Sequence, residues 1–439
     1  MKQRAEGASY MIRQLRLKNV GPTASMKMTF GRRLNVITGD NGLGKSFVLD
    51  CAWWAMTRKW PAQVNPRIGA GNIGRPATAE EASIYFELEG KSSRKLCYEA
   101  AYNRRRESWI GKKGRPANPG LILYAMADGS FAVWDPARNY WKTSAEDEGV
   151  GRPAAYVFTP QQVWDGLPAA RGESGTFCNG IIRDWAGWQR EKGEAWQQLC
   201  VVLEALSPEQ EKLLPGKLTR ISLNDVRDMP TIKMPYGAEV PLVHLSAAMK
   251  RIIALGYCLV WAWQEHKKAA ALLGEEETKN VVFLVDEIEA HLHPRWQRLI
   301  THAMLGVTNL LMQQANVQLI LTTHSPLVMA SCEDIFRAGD DKWVDMDLEG
   351  QDVHLSEWEH MQYGTVDRWL QGPAFDLRSS RSPEVEKMLQ EAGSLLRQDT
   401  ISLEEVQRLD KLMIEKLPPG DAELARWRSV CEARKLLKP

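Results

Sequence analysis

What the chain lacks narrows it first. Its seven cysteines (Cys51, Cys97, Cys178, Cys200, Cys258, Cys332, Cys431) include no C-x-x-C pair. That argues against a zinc site or a disulfide framework and fits a reducing, cytoplasmic setting. Net charge is nearly absent: across 439 residues, 56 Lys and Arg face 55 Asp and Glu, for a formal +1. No global field drives the chain toward nucleic acid or membrane, so any basic surface has to be local. Met1 to Tyr10 holds no apolar signal core. The longest apolar run, Ile252 to Trp263, reaches about half the ~20 residues that a bilayer span needs. We therefore expect no transmembrane segment and no membrane partner, which excludes a one-chain transporter. There is neither an internal repeat nor a low-complexity tract. Tryptophan, by contrast, is plentiful at 17, a count that reads as core and interface packing.

The pattern along the chain is α/β. Apolar and polar residues alternate over Met11 to Val20, and Leu34 to Thr38 reads as a short strand. Ser46 to Thr57 has helical spacing. A Pro-, Gly- and Asn-rich loop follows over 58–80, then short β-like runs from Ala82 to Val133. Gly175 to Leu206 reads as helix, Lys217 to Val243 as strands broken by prolines, and Ser246 to His266 as a long apolar helix. A buried-type strand (Val281 to Val285), a helix (Pro294 to Met312) and another strand (Val317 to Thr323) come next. Beyond Ser382 the chain reads as helical, with Ser382, Ser402 and Asp421 as helix caps. The expected division is an N-terminal lobe with a β-rich insertion (1–157), a helical insertion (158–215), a C-terminal lobe (216–375) and a helical tail (376–439).

Four segments carry chemistry. Gly39-Asp40-Asn41-Gly42-Leu43-Gly44-Lys45-Ser46 fits the G-x-x-x-x-G-K-[ST] phosphate loop between a strand and a helix. Its glycines let backbone N–H groups face phosphates, and the helix N-terminus adds positive potential. Lys45 would reach the β- and γ-phosphates, and the Ser46 hydroxyl would bind Mg2+. Phe47, next in line, completes the nucleotide-binding set. Val281 to Val285 then delivers Asp286 and Glu287 at a strand end. Asp286 would complete the Mg2+ shell and Glu287 would act as general base on the attacking water. His324, in Leu321-Thr322-Thr323-His324-Ser325-Pro326, stands at another strand end, where it can sense a γ-phosphate. Finally, Leu245-Ser246-Ala247-Ala248-Met249-Lys250-Arg251 precedes the long helix, so that Ser246 and the helix N-terminus can hold a phosphate.

In this order the motifs resemble those of the SMC, RecF and OLD ATPases. Asp286-Glu287-Ile288-Glu289-Ala290-His291-Leu292-His293-Pro294 is similar to the DE-x-E-x-HLHP form of bacterial ABC-type AAA ATPases. The resemblance implies an ABC-ATPase head: a P-loop NTPase with a mixed sheet flanked by helices, an inserted α+β or helical lobe, and a helical C-terminal tail. It implies ATP and Mg2+ as cofactors, ATP hydrolysis, and a homodimer that sandwiches two ATP molecules, with higher oligomers built on it. In that frame Ser246 touches the partner's nucleotide, and Glu289 to His293 crosses the dimer seam. Gln161 or Gln162 would be the glutamine that joins Mg2+ to the inserted lobe, and we take Gln161 as the metal residue. Ala247 and Ala248 stand where glycines are usual, which is compatible with slow turnover.

The insert between the first and later motifs holds no sustained heptads, which excludes a long coiled-coil arm. Asp345 and Asp347 form a D-x-D that reads as a surface strand or turn rather than a nuclease centre. The chain then looks most like the ATPase subunits of bacterial anti-phage systems of the Septu or PARIS type. These act with a separately encoded effector such as an HNH or TOPRIM nuclease. The alternative is a RecF-like DNA-repair or DNA-binding ATPase without a toxic effector. A local basic patch from Arg94 to Arg115, interleaved with Tyr98, Tyr102 and Trp109, is the candidate surface for DNA.

Overall fold

Near-continuous apolar runs become the parallel centre of one sheet. The computed structural model describes residues 11–69, 73–89, 95–111, 117–139, 153–169, 175–312, 315–358, 362–377, 379–398 and 401–437. Two compact units are present, residues 1–364 and residues 365–439.

In the first unit the chain opens with β1 (Ile12–Lys18), β2 (Ser25–Thr29) and β3 (Leu34–Gly39), then α1 (Lys45–Thr57) and α2 (Pro61–Val64). Next come β4 (Ser83–Glu89), β5 (Lys95–Asn103), β6 (Ser108–Gly111), β7 (Leu121–Ala125) and β8 (Phe131–Trp134). After α3 (Pro136–Asn139) follow β9 (Tyr156–Phe158), α4 (Pro160–Asp165), β10 (Leu167–Pro168) and β11 (Thr176–Cys178). The insertion holds α5 (Ile181–Glu191), α6 (Glu194–Ala205), and a small sheet of β12 (Leu214–Pro215), β13 (Thr231–Lys233) and β14 (Glu239–Pro241). Then come α7 (Ala247–Leu273), β15 (Asn280–Val285), α8 (Pro294–Leu311), β16 (Asn316–Thr322), α9 (Pro326–Cys332), β17 (Lys342–Glu349) and β18 (Asp352–Trp358).

The main sheet has eight strands in the order β18-β17-β3-β16-β15-β7-β8-β9. From β17 through β7 every pairing is parallel, and β18, β8 and β9 add antiparallel edges. Strands buried on both faces need mostly apolar side chains: β15 supplies them from Val281 to Val285, while β3 and β16 also bury Asn35 and Gln318, whose amides are hydrogen-bonded. A second, antiparallel sheet runs β2-β1-β4-β5-β6. Helix α1 is buried along almost its whole length, and one apolar cluster joins it to residues of both sheets. That explains why its sequence is apolar nearly all round rather than along one stripe. The ABC-head architecture expected from the motifs is therefore the architecture found.

Two local expectations change. The stretch 217–243, read as strands, holds only β13 and β14, of three residues each, plus an isolated Thr219–Met229 bridge. Pro230, Pro235 and Pro241 interrupt longer pairing. The long helix is longer than read: α7 has 27 residues, starts at the Ser246 cap and stops at Gly274 in the left-handed region, φ +66°.

The second unit contains α10 (Val366–Leu370), α11 (Pro383–Leu395), α12 (Leu403–Lys416) and α13 (Ala422–Ala433), so it takes in one short helix ahead of residue 376. Ser382, Ser402 and Asp421 each accept a backbone N–H as N-caps of the last three. Met388, Leu395, Val406, Leu409, Met413 and Trp427 form its core.

Candidate nucleotide site

Three strand ends meet on one edge of the main sheet. Because β16 lies between β3 and β15, all parallel, the phosphate loop, the Thr322–His324 turn and the Asp286–Glu287 pair leave the sheet side by side. Sheet order thus joins segments that lie far apart in sequence, at the strand ends where open α/β sheets take ligands.

The loop's glycines are dictated by geometry. Gly39 sits at φ +130°, and a Cβ there would lie 2.2 Å from the Met346 carbonyl oxygen on β17. Gly44, at φ +97°, is the N-cap of α1. Asp40, Asn41 and Gly42 form an exposed tip. Lys45 is buried, and its Nζ donates to the carbonyls of Gly39 and Asp40 at 2.7 Å each. Burial pulls its pKa down, while Asp286, Asp40, Glu287 and Glu289 push it back up. The Phe47 ring is half-buried and packed toward Gly21, where an added Cβ would lie 2.6 Å from it. The side chain is an anchor; the backbone N–H stays among the free first-turn donors of α1.

Asp286 is 3% exposed, and the Ser46 side chain lies near enough to hold its pKa down. Its Oδ1 accepts from Thr322 Oγ1 at 2.7 Å. Burial raises its pKa, and the Thr322 and Ser46 side chains oppose that rise. A hydroxyl and a carboxylate beside free helix-start N–H groups form the oxygen-rich set that Mg2+ and a phosphate would use. Glu287 has a left-handed backbone, φ +46°, unusual for a non-glycine residue. Its N–H donates to Thr322 Oγ1 at 2.8 Å. His324 is half-buried; burial lowers its pKa first, Lys45 lowers it further, and Glu289, Glu287 and Asp286 oppose. That lowering favours the neutral imidazole, which can donate from one nitrogen and accept at the other. Lys45, Ser46, Asp286, Glu287 and His324 accordingly form one cluster.

Residues outside that cluster fare differently. Ser246 is exposed and caps α7, its Oγ accepting from Met249 N–H at 3.3 Å. Gln161 is exposed on α4, and its amide donates to Asp165 at 3.5 Å. The neighbouring Gln162 closes the capping box with Thr159 and accepts from Asn65 Nδ2 at 2.7 Å. His291 and His293 are exposed; His293 caps α8 by accepting from Arg295 N–H at 3.4 Å. Among the described residues no group of three or more His, Cys, Asp or Glu is arranged to hold a metal ion. Asp345 is not on the surface: it is fully buried on β17, where its carboxylate accepts from Thr38 Oγ1.

Three residues of the site went unassigned in the sequence although each lies inside a segment read there. Thr322 bonds both acids of the D-E pair. The Glu289 carboxylate, at the start of the loop expected at a dimer seam, accepts the His324 N–H and Thr323 Oγ1–H. Arg251 reaches back from α7 to the backbone of Asp286 and Glu287. Their polar character at strand and helix ends was the available signal; their partners depend on sheet order.

Of the basic patch, Arg94, Lys112, Lys113 and Arg115 lie outside the described residues, and Arg104, Arg105 and Arg106 are exposed in the β5–β6 turn. Its aromatics are committed elsewhere: Tyr98 stacks on Phe86, Tyr102 meets Trp109 edge-on, and Trp109 Nε1 donates to the Gly74 carbonyl at 2.9 Å. No helix among the described residues is long and apolar enough to cross a membrane.

Comparison with known proteins agrees with the geometry. Residues 34–330 match the family described as "AAA domain, putative AbiEii toxin, Type IV TA system". That match spans most of the chain, so the chain belongs to this family, and it is an ATPase of the ABC type. It is similar to the Septu protein PtuA of Bacillus thuringiensis, 21% identical over 401 residues, covering 87% of this chain and 90% of that protein. It is also similar to the "Retron Vc95 probable ATPase" of Vibrio cholerae serotype O1 biovar El Tor, 33% identical over 116 residues, 26% of this chain and 20% of that one. Among solved structures it is similar to the SMC head domain from Thermotoga maritima, at 14% identity, 79% and 99% coverage and TM-score 0.38.

Proposed function

We propose that this member of the AAA-domain family closes as a homodimer around Mg-ATP, and that its nucleotide state governs a separately encoded effector in anti-phage defence. The observation that carries the reading is the sheet order: β16 between β3 and β15 brings the phosphate loop, with Lys45 and Ser46, alongside the strand end that carries Asp286 and Glu287. On this reading Lys45 binds the β- and γ-phosphates, Ser46 and Asp286 hold Mg2+, and Glu287 takes a proton from the attacking water. His324 contacts the γ-phosphate. Mg2+ held there would supply charge neutralisation for the transferred phosphate. Ser246, exposed at the start of α7, is free to meet a second protomer's nucleotide. The effector is proposed to be a nuclease of the HNH or TOPRIM kind. Similarity to PtuA along 87% of the chain favours the defence reading over a RecF-like repair role.

Glu287→Gln tests the chemistry. It should bind ATP, accumulate as dimer and lose turnover by roughly a hundredfold or more, the upper range for one general base. Normal hydrolysis by that variant removes the base assignment. Mass analysis of the complex expressed with neighbouring genes tests the effector: stoichiometric co-purification of a nuclease is expected, and a chain recovered alone on DNA favours repair.

A further inference from the structure

Glu287 needs more than its own side chain to be in place. A non-glycine residue in the left-handed region carries strain and persists only where its surroundings hold it. Its N–H is held by Thr322 Oγ1. Its carbonyl is held by Arg251, whose Nη2 donates to the carbonyls of Asp286 at 2.9 Å and Glu287 at 3.0 Å. The same guanidinium, through Nη1, donates to the Ala127 carbonyl at 2.7 Å, in the turn between β7 and β8. Arg251 is half-buried and lies in the second turn of α7, the helix that Ser246 caps. One planar fork therefore ties three carbonyls, from two loops at adjacent strand ends, to the helix whose start faces outward.

We infer that Arg251 is a positioning residue that sets the backbone of Glu287 and links its position to the start of α7. The inference rests on the reading of Glu287 as general base. Movement of α7 when Ser246 meets a phosphate would be delivered to Glu287 through this guanidinium, because no flexible segment separates Ser246 from Arg251. A lysine at 251 could reach one of the carbonyls but could not hold all three in the fork's geometry.

The experiment measures ATP turnover and nucleotide affinity of the full chain with Mg2+ for Arg251→Ala, Arg251→Lys, Glu287→Gln and the Ala/Gln double variant. Arg251→Ala should lower kcat by about 10- to 100-fold, the scale of charge-assisted hydrogen bonds, with KM for ATP changed less than about twofold. Arg251→Lys should recover part of that loss, and added guanidinium ion should restore part of the Arg251→Ala rate. Because Arg251 acts through Glu287, adding Arg251→Ala to Glu287→Gln should cost less than about twofold more. Wild-type kcat in Arg251→Ala overturns the inference while leaving the base assignment standing. An undiminished further loss in the double variant does the same. Normal turnover in Glu287→Gln overturns both. Should Arg251→Ala fail to fold, Arg251→Lys carries the test: an unchanged kcat there overturns the inference.

Discussion

The Glu289 carboxylate accepts the backbone N–H of His324, so the third acid of the segment Asp286 to Glu289 holds the backbone of His324 in place. A second bond, from Thr323 Oγ1 at 2.8 Å, locks the same carboxylate from the other side. Glu289→Ala should then free the Thr323–His324 turn and lower kcat by about tenfold, the worth of roughly one charge-assisted bond. Glu289→Gln keeps an acceptor and should stay within about threefold of wild type. Steady-state ATPase rates decide it. Equal loss in both variants would mean that charge, rather than anchoring, is what Glu289 contributes.

Ser246 separates capping from contact with a second protomer. Its Oγ accepts the Met249 N–H, and aspartate is as good a cap as serine. Ser246→Asp should keep the melting temperature, whereas Ser246→Ala should lose about 1 kcal/mol. The carboxylate would nonetheless repel a γ-phosphate. ATP-dependent dimerisation of a Glu287→Gln background, read by light scattering, should vanish on adding Ser246→Asp. Dimers that persist would show that α7 does not face the second nucleotide.

Gly39 and Gly42 both have positive φ, but only Gly39 is crowded. A Cβ at Gly42 meets nothing within 4 Å, while one at Gly39 lies 2.2 Å from the Met346 carbonyl oxygen. Gly42→Ala should cost about 1–2 kcal/mol of backbone strain. Gly39→Ala adds a backbone clash, and should melt lower still and weaken nucleotide binding by at least about tenfold. Parallel melting and titration curves for the two would contradict the role given to Met346.

Asp345 makes stability depend on pH. Burial raises its carboxyl from 3.8 to about 6, against the Thr38 bond and Lys45, and its Oδ2 has no hydrogen-bond partner. A raised folded-state pKa means that the native state holds a proton the unfolded chain has lost. The contribution is complete below 3.8 and is lost as pH climbs through about 6. Asp345→Asn removes this slope. Its melting temperature should match wild type near pH 4 and exceed it at pH 8. Two curves that stay parallel across that range would refute the assignment.

Much of this site was legible because chemistry repeats locally. Gly39 to Ser46, Asp286–Glu287 and His324 stand in short segments whose spacing and strand context already name phosphate, metal and sensor chemistry. The central strands were legible for a related reason: Val281 to Val285 is apolar without alternation, as burial on both faces requires. The hydrogen-bond partners of Gln161, Asp345 and Glu289 were not legible. Each depends on which element lies beside it. Asp345 looked like a surface acid until β17 was found next to β3, and the bond from His324 to Glu289 depends on where the turn after β16 lies. Arg251 illustrates the same limit, since its three acceptors are backbone atoms and leave no residue pattern to read.

The position of β16 between β3 and β15 also sets when the molecule can first act. On the ribosome, the glycine loop and its helix emerge early, with β7 and β8 soon after, but β3 and β7 are never neighbours. The gap between them must wait for two strands made much later. Until residues 280–324 leave the exit tunnel, the nascent chain has the glycine loop without Asp286, Glu287 or His324. Such late, long-range strand insertion favours slow folding, and it keeps an unfinished chain from consuming nucleotide.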